Sequence, residues 1–318
     1  MIDSVRLEDL PCPLGCREND KMIMSGSDLL HGLPGEFTIV KCCTCGLMRT
    51  NPRPTPEGIG VYYPDDYGPY VGTLVPQSTQ NQSSIIKKLL KRVVRQIFKF
   101  NTNTLPQLSS GRLLEVGCAS GIFLHQMVGQ GWQVEGVEFS AKAAMSAAEL
   151  GYRVHAGPLE TAPEPSEPFD LIVGWMVLEH LHDPINCLKK LREWAKPDAW
   201  LVLSVPNSGS FDFRLFKEKL YSLHLPNHLY HFTPQTIEKV LEASGWTLSK
   251  VHHQRVLSNI IASTGYVLHD KGFTNLGKRM IEFPAHAGKW HFVLYPLSWL
   301  LSAFGQTGRM TIWARKRI

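Results

Sequence analysis

The chain has 318 residues, 43% of them hydrophobic and 19% charged, which is enough apolar mass to bury a core and too little charge for a disordered chain. At roughly 100–200 residues per domain, such a length implies about two domains. The net charge is +5, yet Lys87, Lys88, Lys91, Arg92, Arg95 and Lys99 fall in one stretch and outnumber that excess. The rest of the chain is slightly acidic, which excludes a general nucleic-acid-binding surface.

The N-terminal stretch lacks a basic region followed by an apolar run. The longest apolar stretch, Phe292 to Phe304, is broken by Pro296 and is shorter than the roughly 20 residues of a spanning helix. A cytoplasmic, reducing location is therefore expected, and the cysteines are not read as disulfides. Cys42-Cys43-Thr44-Cys45-Gly46 contains a C-x2-C-G turn, in which two thiolates can face one ion and the glycine relaxes the backbone after the second. Cys12 and Cys16 form a second pair. The expectation is a four-cysteine zinc ribbon of Cys12, Cys16, Cys42 and Cys45, letting about 65 residues fold around a metal with little core. Four thiolates leave no open position for water, so the metal would be structural. The competing reading is four reduced, unliganded thiols. Cys43 is a spare and His31 a reserve ligand, while Cys118 and Cys187 stand alone and read as small buried hydrophobes.

After a proline-rich stop, a polar linker runs from about 75 to 84. Ile85-Ile86, Leu89-Leu90, Val93-Val94 and Ile97-Phe98 then recur every four positions with basic residues between them. That is helical spacing, for a helix packed on the next domain or resting on a membrane surface, with the packed reading preferred. From Gly111 strands and helices alternate. RLLEVG, WQVEGVE, YRVHA, FDLIVGW and WLVLSVP read as strands. A helix is expected from about 120 to 130, and another behind Ser140 as N-cap with Gly151 closing it. Asp183-Pro184 and Thr233-Pro234 open two more. This pattern implies an α/β fold, a mostly parallel sheet with helices on both faces. WTLSKVHHQ and MTIWARK look like a closing strand pair, separated by a helical insertion.

The first strand runs into Gly117-Cys118-Ala119-Ser120-Gly121. Gly117 allows a sharp turn, and Gly121 allows close approach of backbone to a ligand. The acid Glu115 beside this loop disfavours a pyrophosphate and suits an ammonium or sulfonium group. Glu138, at the end of the second strand, can accept both hydroxyls of a ribose.

LLEVGCASGIFL, VEGVEFS, FDLIVGWMVLEHLHDP and LVLSVPN resemble the successive motifs of class I S-adenosylmethionine-dependent methyltransferases. The leading CPLGC…CCTCGLMRTNPRPTPE…YYPDDY segment resembles the zinc-binding head of some methyltransferases of sugar and natural-product pathways, a group that HLYHFTPQTIEKVLEASGW resembles too. The resemblance implies a Rossmann-like seven-stranded sheet of order 3-2-1-4-5-7-6, its strand 7 antiparallel. It implies a zinc-ribbon domain over 1–70, a linker and basic helix over 71–105, and a cofactor-binding domain over 106–318 with an insertion at about 257–308. Glu115, Gly117, Cys118, Ala119 and Gly121 would shape the methionine and ribose side of the S-adenosylmethionine pocket, and Glu138 would take the ribose hydroxyls. Phe139 would pack on the adenine, Leu159 and Glu160 would meet it through backbone, and Trp175 and Met176 would face the methionyl group.

Methyl transfer to a hydroxyl or an acidic carbon is helped by a base of near-neutral pKa. His228 and His231 are the first candidates, followed by Tyr230 and by His180, whose bland reading is a brace for its loop. The acceptor is expected to be a small molecule, sugar or glycan precursor, and peripheral membrane contact through the basic helix or the insertion stays open. The competing class is a zinc-ribbon RNA methyltransferase. Residues 1–65 carry six basic side chains against nine acidic ones, which argues against RNA.

Overall fold

The computed structural model describes residues 5–63 and 98–317. The expected linker, nearly all of the basic helix and the boundary near residue 70 lie outside the described residues.

The head contains β1 (Leu7–Glu8), β2 (Asp20–Gly26), β3 (Phe37–Cys42), β4 (Met48–Thr50) and β5 (Arg53–Pro54). β2, β3 and β4 form an antiparallel meander, and β1 pairs β5. Along β3, buried Phe37 and Ile39 alternate with less buried Thr38 and Val40, the period of two of a strand with one apolar face.

The alternating region follows as β6 (Arg112–Val116), α1 (Ile122–Val128), β7 (Gln133–Glu138), α2 (Ala141–Glu149), β8 (Arg153–Ala156), β9 (Phe169–Trp175), α3 (Pro184–Glu193) and β10 (Ala195–Pro206). After these come α4 (Phe211–Phe216), β11 (Tyr230–His231), α5 (Pro234–Ala243) and β12 (Trp246–His253). Four helices, α6 (Ser258–Asp270), α7 (Thr274–Ile281), α8 (Phe283–His286) and α9 (Trp290–Ala303), precede β13 (Arg309–Lys316). The large sheet has the order β8-β7-β6-β9-β10-β13-β12. β8, β7, β6, β9 and β10 are mutually parallel, and β13 runs antiparallel to both neighbours. This is the expected 3-2-1-4-5-7-6 arrangement.

The caps explain the helix starts. Ser140 accepts from the Ala143 amide, Asp183 from Asn186, and Thr233 and Thr236 form a reciprocal capping box. α1 begins two residues later than expected, because Gly121 sits at φ 82°, outside the helical region. β10 starts earlier than expected, and a register shift between Ala195 and Trp200 absorbs the extra residues. The central strands are apolar runs buried on both faces, with Leu113, Leu171, Ile172, Val173, Leu201 and Val202 fully enclosed.

The head does not stand on a metal alone. Its meander gains a fourth strand from the other half of the molecule, for β11 pairs β4 antiparallel, with Tyr230 opposite Arg49 and His231 opposite Met48. Phe37, Ile39, Leu47, Met48, Ile59 and Tyr62 belong to the same buried cluster as Leu178, Leu225, Leu229, Phe232 and Ile237. The expectation of little core is corrected: the head's apolar side is buried against the loops after β9 and β10. Arg53 fastens the seam, donating to Glu8, to the Tyr230 hydroxyl and to the His182 carbonyl. Cys118 and Cys187 are buried, as expected of lone small hydrophobes.

His231 is the acid-sensitive point of that seam. Thr50 Oγ1 donates to the His228 carbonyl, so it accepts from His231 Nε2–H at 3.1 Å. Burial lowers the His231 pKa to about 3, so the imidazole is neutral in the fold. The unfolded chain takes up its proton below about pH 6.5, so this residue should cost stability at about 1.4 kcal/mol per pH unit as pH falls below that value, down to about pH 3. Urea titrations of His231→Gln at pH 7, 6 and 5 should show an acid slope shallower by that amount; an unchanged slope contradicts the assignment.

Candidate active site

The C-terminal ends of β6, β7 and β9 open onto one cavity of about 950 Å³. Gly117 leaves β6 at φ 71°, with its amide on the Val137 carbonyl at 2.7 Å. Glu138, at the end of β7, holds the loop. Its Oε2 accepts from the Ala119 amide and its Oε1 from the Ser140 amide, both at 2.8 Å. The first of these bonds helps keep Ala119 at φ 46°, a left-handed conformation that costs a non-glycine residue energy. Burial pushes the Glu138 carboxyl up against the pull of the Ser140, Ala119 and Phe139 amides. A carboxylate oxygen that accepts one amide has a further lone pair for a hydroxyl donor.

Gly117, Ala119, Glu138, Phe139, Leu159, Trp175 and Met176 all face the cavity. Glu115, Cys118 and Gly121, expected to shape the pocket, are not among its lining residues and lie behind it. Glu115 is buried under the loop with Oε2 unpartnered, and burial and the Glu138 charge raise its pKa well above the usual range. Cys118 lies beneath Gly136, where a Cβ would come within 2.6 Å of its sulfur. Met176 has φ 59°, held by its amide on the Ser204 carbonyl at 2.8 Å.

The opposite end of the cavity is lined by imidazoles. His228 donates from Nδ1 to the Ser222 carbonyl at 3.0 Å, and His180 Nδ1 lies 3.0 Å from the Asn227 carbonyl and 2.8 Å from the Tyr63 hydroxyl oxygen. A carbonyl can only accept, so His228 carries its proton on Nδ1, and so does His180 with that proton shared between the Asn227 carbonyl and the Tyr63 oxygen; both rings turn Nε2 away from these bonds. Their ring centroids lie 4.6 Å apart, and His224 is 5.0 Å from His228. Burial lowers His180 to about 3, helped by the nearby His224, and His224 to about 4. It holds His228 well below its ordinary value too. These rings are neutral at pH 7. Glu179, fully enclosed behind them, is raised to about 8 by burial.

His231 and Tyr230 are not on this wall. They form β11 against the head, with the Tyr230 hydroxyl bonded to Arg53 and His182, so both candidates are withdrawn from the acceptor end. A two-residue strand has no readable period, which is why the sequence lumped 228 with 230 and 231. His31, named as a reserve zinc ligand, lines the cavity instead. Tyr63, Tyr221 and Arg309 line it also and carried no sequence signal, because they arrive from the head, the loop after β10 and the start of β13.

The Cys12, Cys16, Cys42 and Cys45 sulfurs lie within 4.8 Å of one another, and Cys12 and Cys45 are 3.5 Å apart. A tetrahedral thiolate site with Zn–S of about 2.3 Å needs sulfurs roughly 3.8 Å apart, so the donor set fits zinc. Burial raises the Cys42 thiol, but backbone amides of Cys45 and Thr44 outweigh it and the net pKa falls to about 7. Cys43 points elsewhere and is exposed.

A family model described as "Methyltransferase domain" matches residues 85–251, more than half of the chain. The chain belongs to that methyltransferase-domain family, and its sheet is that of the class I S-adenosylmethionine-dependent methyltransferases. Among curated proteins, it is 32% identical over 117 residues to a ubiquinone biosynthesis O-methyltransferase of Bordetella bronchiseptica, covering 35% of this chain and 48% of that one. The Thiobacillus denitrificans protein of the same name is 28% identical over 121 residues, covering 36% and 52%. The chain thus spans about half the length of the curated relatives it matches. Among solved structures, an S-adenosylmethionine-dependent methyltransferase of Mesorhizobium loti aligns with a TM-score of 0.44 at 16% identity, covering 67% of this chain and 94% of that chain. One from Archaeoglobus fulgidus aligns with a TM-score of 0.41 at 17% identity, covering 72% and 94%.

A Cβ at position 117 would come 2.5 Å from Val177 Cγ2 at a positive φ. Gly117→Ala should therefore lower the unfolding free energy by more than ~1 kcal/mol. Urea unfolding that matches the wild type would contradict this account of the turn.

Proposed function

We propose that this protein transfers the methyl group of S-adenosylmethionine to a small-molecule acceptor, a sugar or glycan precursor being the favoured class, and that its four clustered cysteines hold a structural zinc. One observation carries the reading: a single cavity of about 950 Å³ has a glycine-loop end and a histidine end. That volume lies within the roughly 300–1,000 Å³ of small-molecule sites. An RNA substrate would want a broad basic face, whereas residues 1–65 hold nine acidic side chains to six basic ones.

In this reading Glu138 accepts the ribose hydroxyls, Phe139 covers the adenine, and Leu159 and Glu160 meet its edge. Gly117 and Ala119 bring backbone close to the methionyl part, and Trp175 and Met176 wall the sulfonium. The sulfonium is already an activated leaving group, so alignment and exclusion of water are the main tasks. An acceptor lone pair attacks the methyl carbon, the carbon–sulfur bond breaks to leave S-adenosylhomocysteine, and the acceptor's proton passes to a bare imidazole nitrogen. His228 and His180 carry such nitrogens on the cavity wall.

Glu138→Ala should weaken S-adenosylmethionine binding at least ~10-fold by calorimetric titration, since hydrogen bonds to a charged group contribute about 1.5–3 kcal/mol. His228→Ala should leave that affinity unchanged and lower kcat by about 10²–10⁴. Mass spectrometry after incubation with labelled cofactor should find the methyl on a small acceptor; methylated tRNA or rRNA with no small product refutes the acceptor class. Elemental analysis should find zinc that is lost in Cys42→Ser, and a zinc-free wild type removes the structural metal.

A further inference from the structure

We propose that Glu179, His180 and His228 form a second metal site, for a borderline divalent transition ion, in the wall of the cavity at its histidine end. One ligand atom from each lies within 4.8 Å of the others. Drawing them onto a shell of about 2.0–2.2 Å takes side-chain shifts under about 1 Å.

Three features point to an ion. The Glu179 side chain is completely enclosed, yet among the described residues neither carboxyl oxygen has a hydrogen-bond partner. Buried carboxyl oxygens left without partners are rare in native proteins and call for a ligand. His228 Nε2 stands 4.0 Å from Oε1, too far for a hydrogen bond and suited to a pair of ligands with an ion between them, and the Arg309 charge nearby favours the carboxylate form. Second, both histidines are already oriented as metal-bound imidazoles are, each Nδ1–H on a backbone carbonyl and each Nε2 bare. Third, Glu179 is behind the wall while His180 and His228 are on it. The ion would hold three protein ligands and turn its remaining positions to the cavity, the arrangement of an open site rather than a closed structural one. Two imidazoles and one carboxylate suit Zn²⁺, Fe²⁺ or Co²⁺ better than Mg²⁺ or Ca²⁺. An ion at this end faces the region assigned above to the acceptor, so it would bind and acidify an oxygen there. With the ion in place the two nitrogens would ligate it and the acidified oxygen would release its proton to solvent water; without it they take that proton as described above.

The test counts metal in the untagged full-length protein and needs neither an acceptor nor methyl transfer, so its failure is separable from failure of the functional reading. Chelated protein is titrated with Co²⁺. Wild type should take two equivalents: one with the intense thiolate-to-cobalt absorption of the cysteine cluster, and one without it. Glu179→Gln removes a ligand while conserving volume. It should weaken the second equivalent by more than the roughly 10–100-fold that loss of an outer-shell partner costs, and leave the thiolate absorption intact. X-ray absorption of the second cobalt in wild type should give nitrogen and oxygen neighbours with imidazole scattering and no sulfur, which keeps the test decisive if the variant fails to fold. A wild type that binds cobalt only at thiolates, or a Glu179→Gln protein that keeps both equivalents at unchanged affinity, overturns the proposal.

Discussion

The seam between the cysteine head and the large sheet is the constraint on which the cavity depends. β11 completes the head's meander, and the Arg53 guanidinium binds Glu8 on its own side and Tyr230 and His182 across the seam. Leu30, His31, Ile59 and Tyr63 reach the cavity from the head, while His180, His224 and His228 reach it from the loops after β9 and β10. Undocking the head would remove one wall of that space. The cysteine cluster therefore bears on the cavity indirectly, as part of the head that forms one of its walls.

Two devices shape that site. At the glycine-loop end, Glu138 accepts from the Ala119 amide of the loop and the Ser140 amide at the next helix start, so one carboxylate both sets the backbone and faces the cavity. At the other end, burial keeps His180, His224 and His228 neutral. The two whose Nδ1 meets a carbonyl, His180 and His228, offer lone pairs, which serve a proton or an ion and not an anionic group. The positive charge there comes from Arg309, at the start of β13, whose Nη2 donates to Asn259 Oδ1 at 3.2 Å. The result is a pocket wall of mixed character, built from segments distant in the chain.

Much of this was legible in advance, because local chemistry wrote it. Ser140, Asp183 and Thr233 cap helices with side chains close to the amides they satisfy, and short apolar runs between them can only be buried strands. The order of such units, with right-handed crossovers, leaves few possible sheets. The cysteine knuckles and Glu138 were readable for the same reason: their partners are close in sequence, or their spacing states the geometry.

What the amino-acid order alone determined was the alternation of strands and helices, the glycine turn, the latch acid and the cysteine quartet, all properties of short segments. Only the tertiary structure decided which histidines face the cavity, that His231 and Tyr230 belong to the head's sheet, and that His31 and Arg309 line the same cavity. Those outcomes depend on pairing between residues 181 positions apart, such as Thr50 with His231, and on which face of a two-residue strand is covered. No period in a linear sequence encodes either, because burial is settled by what packs on top.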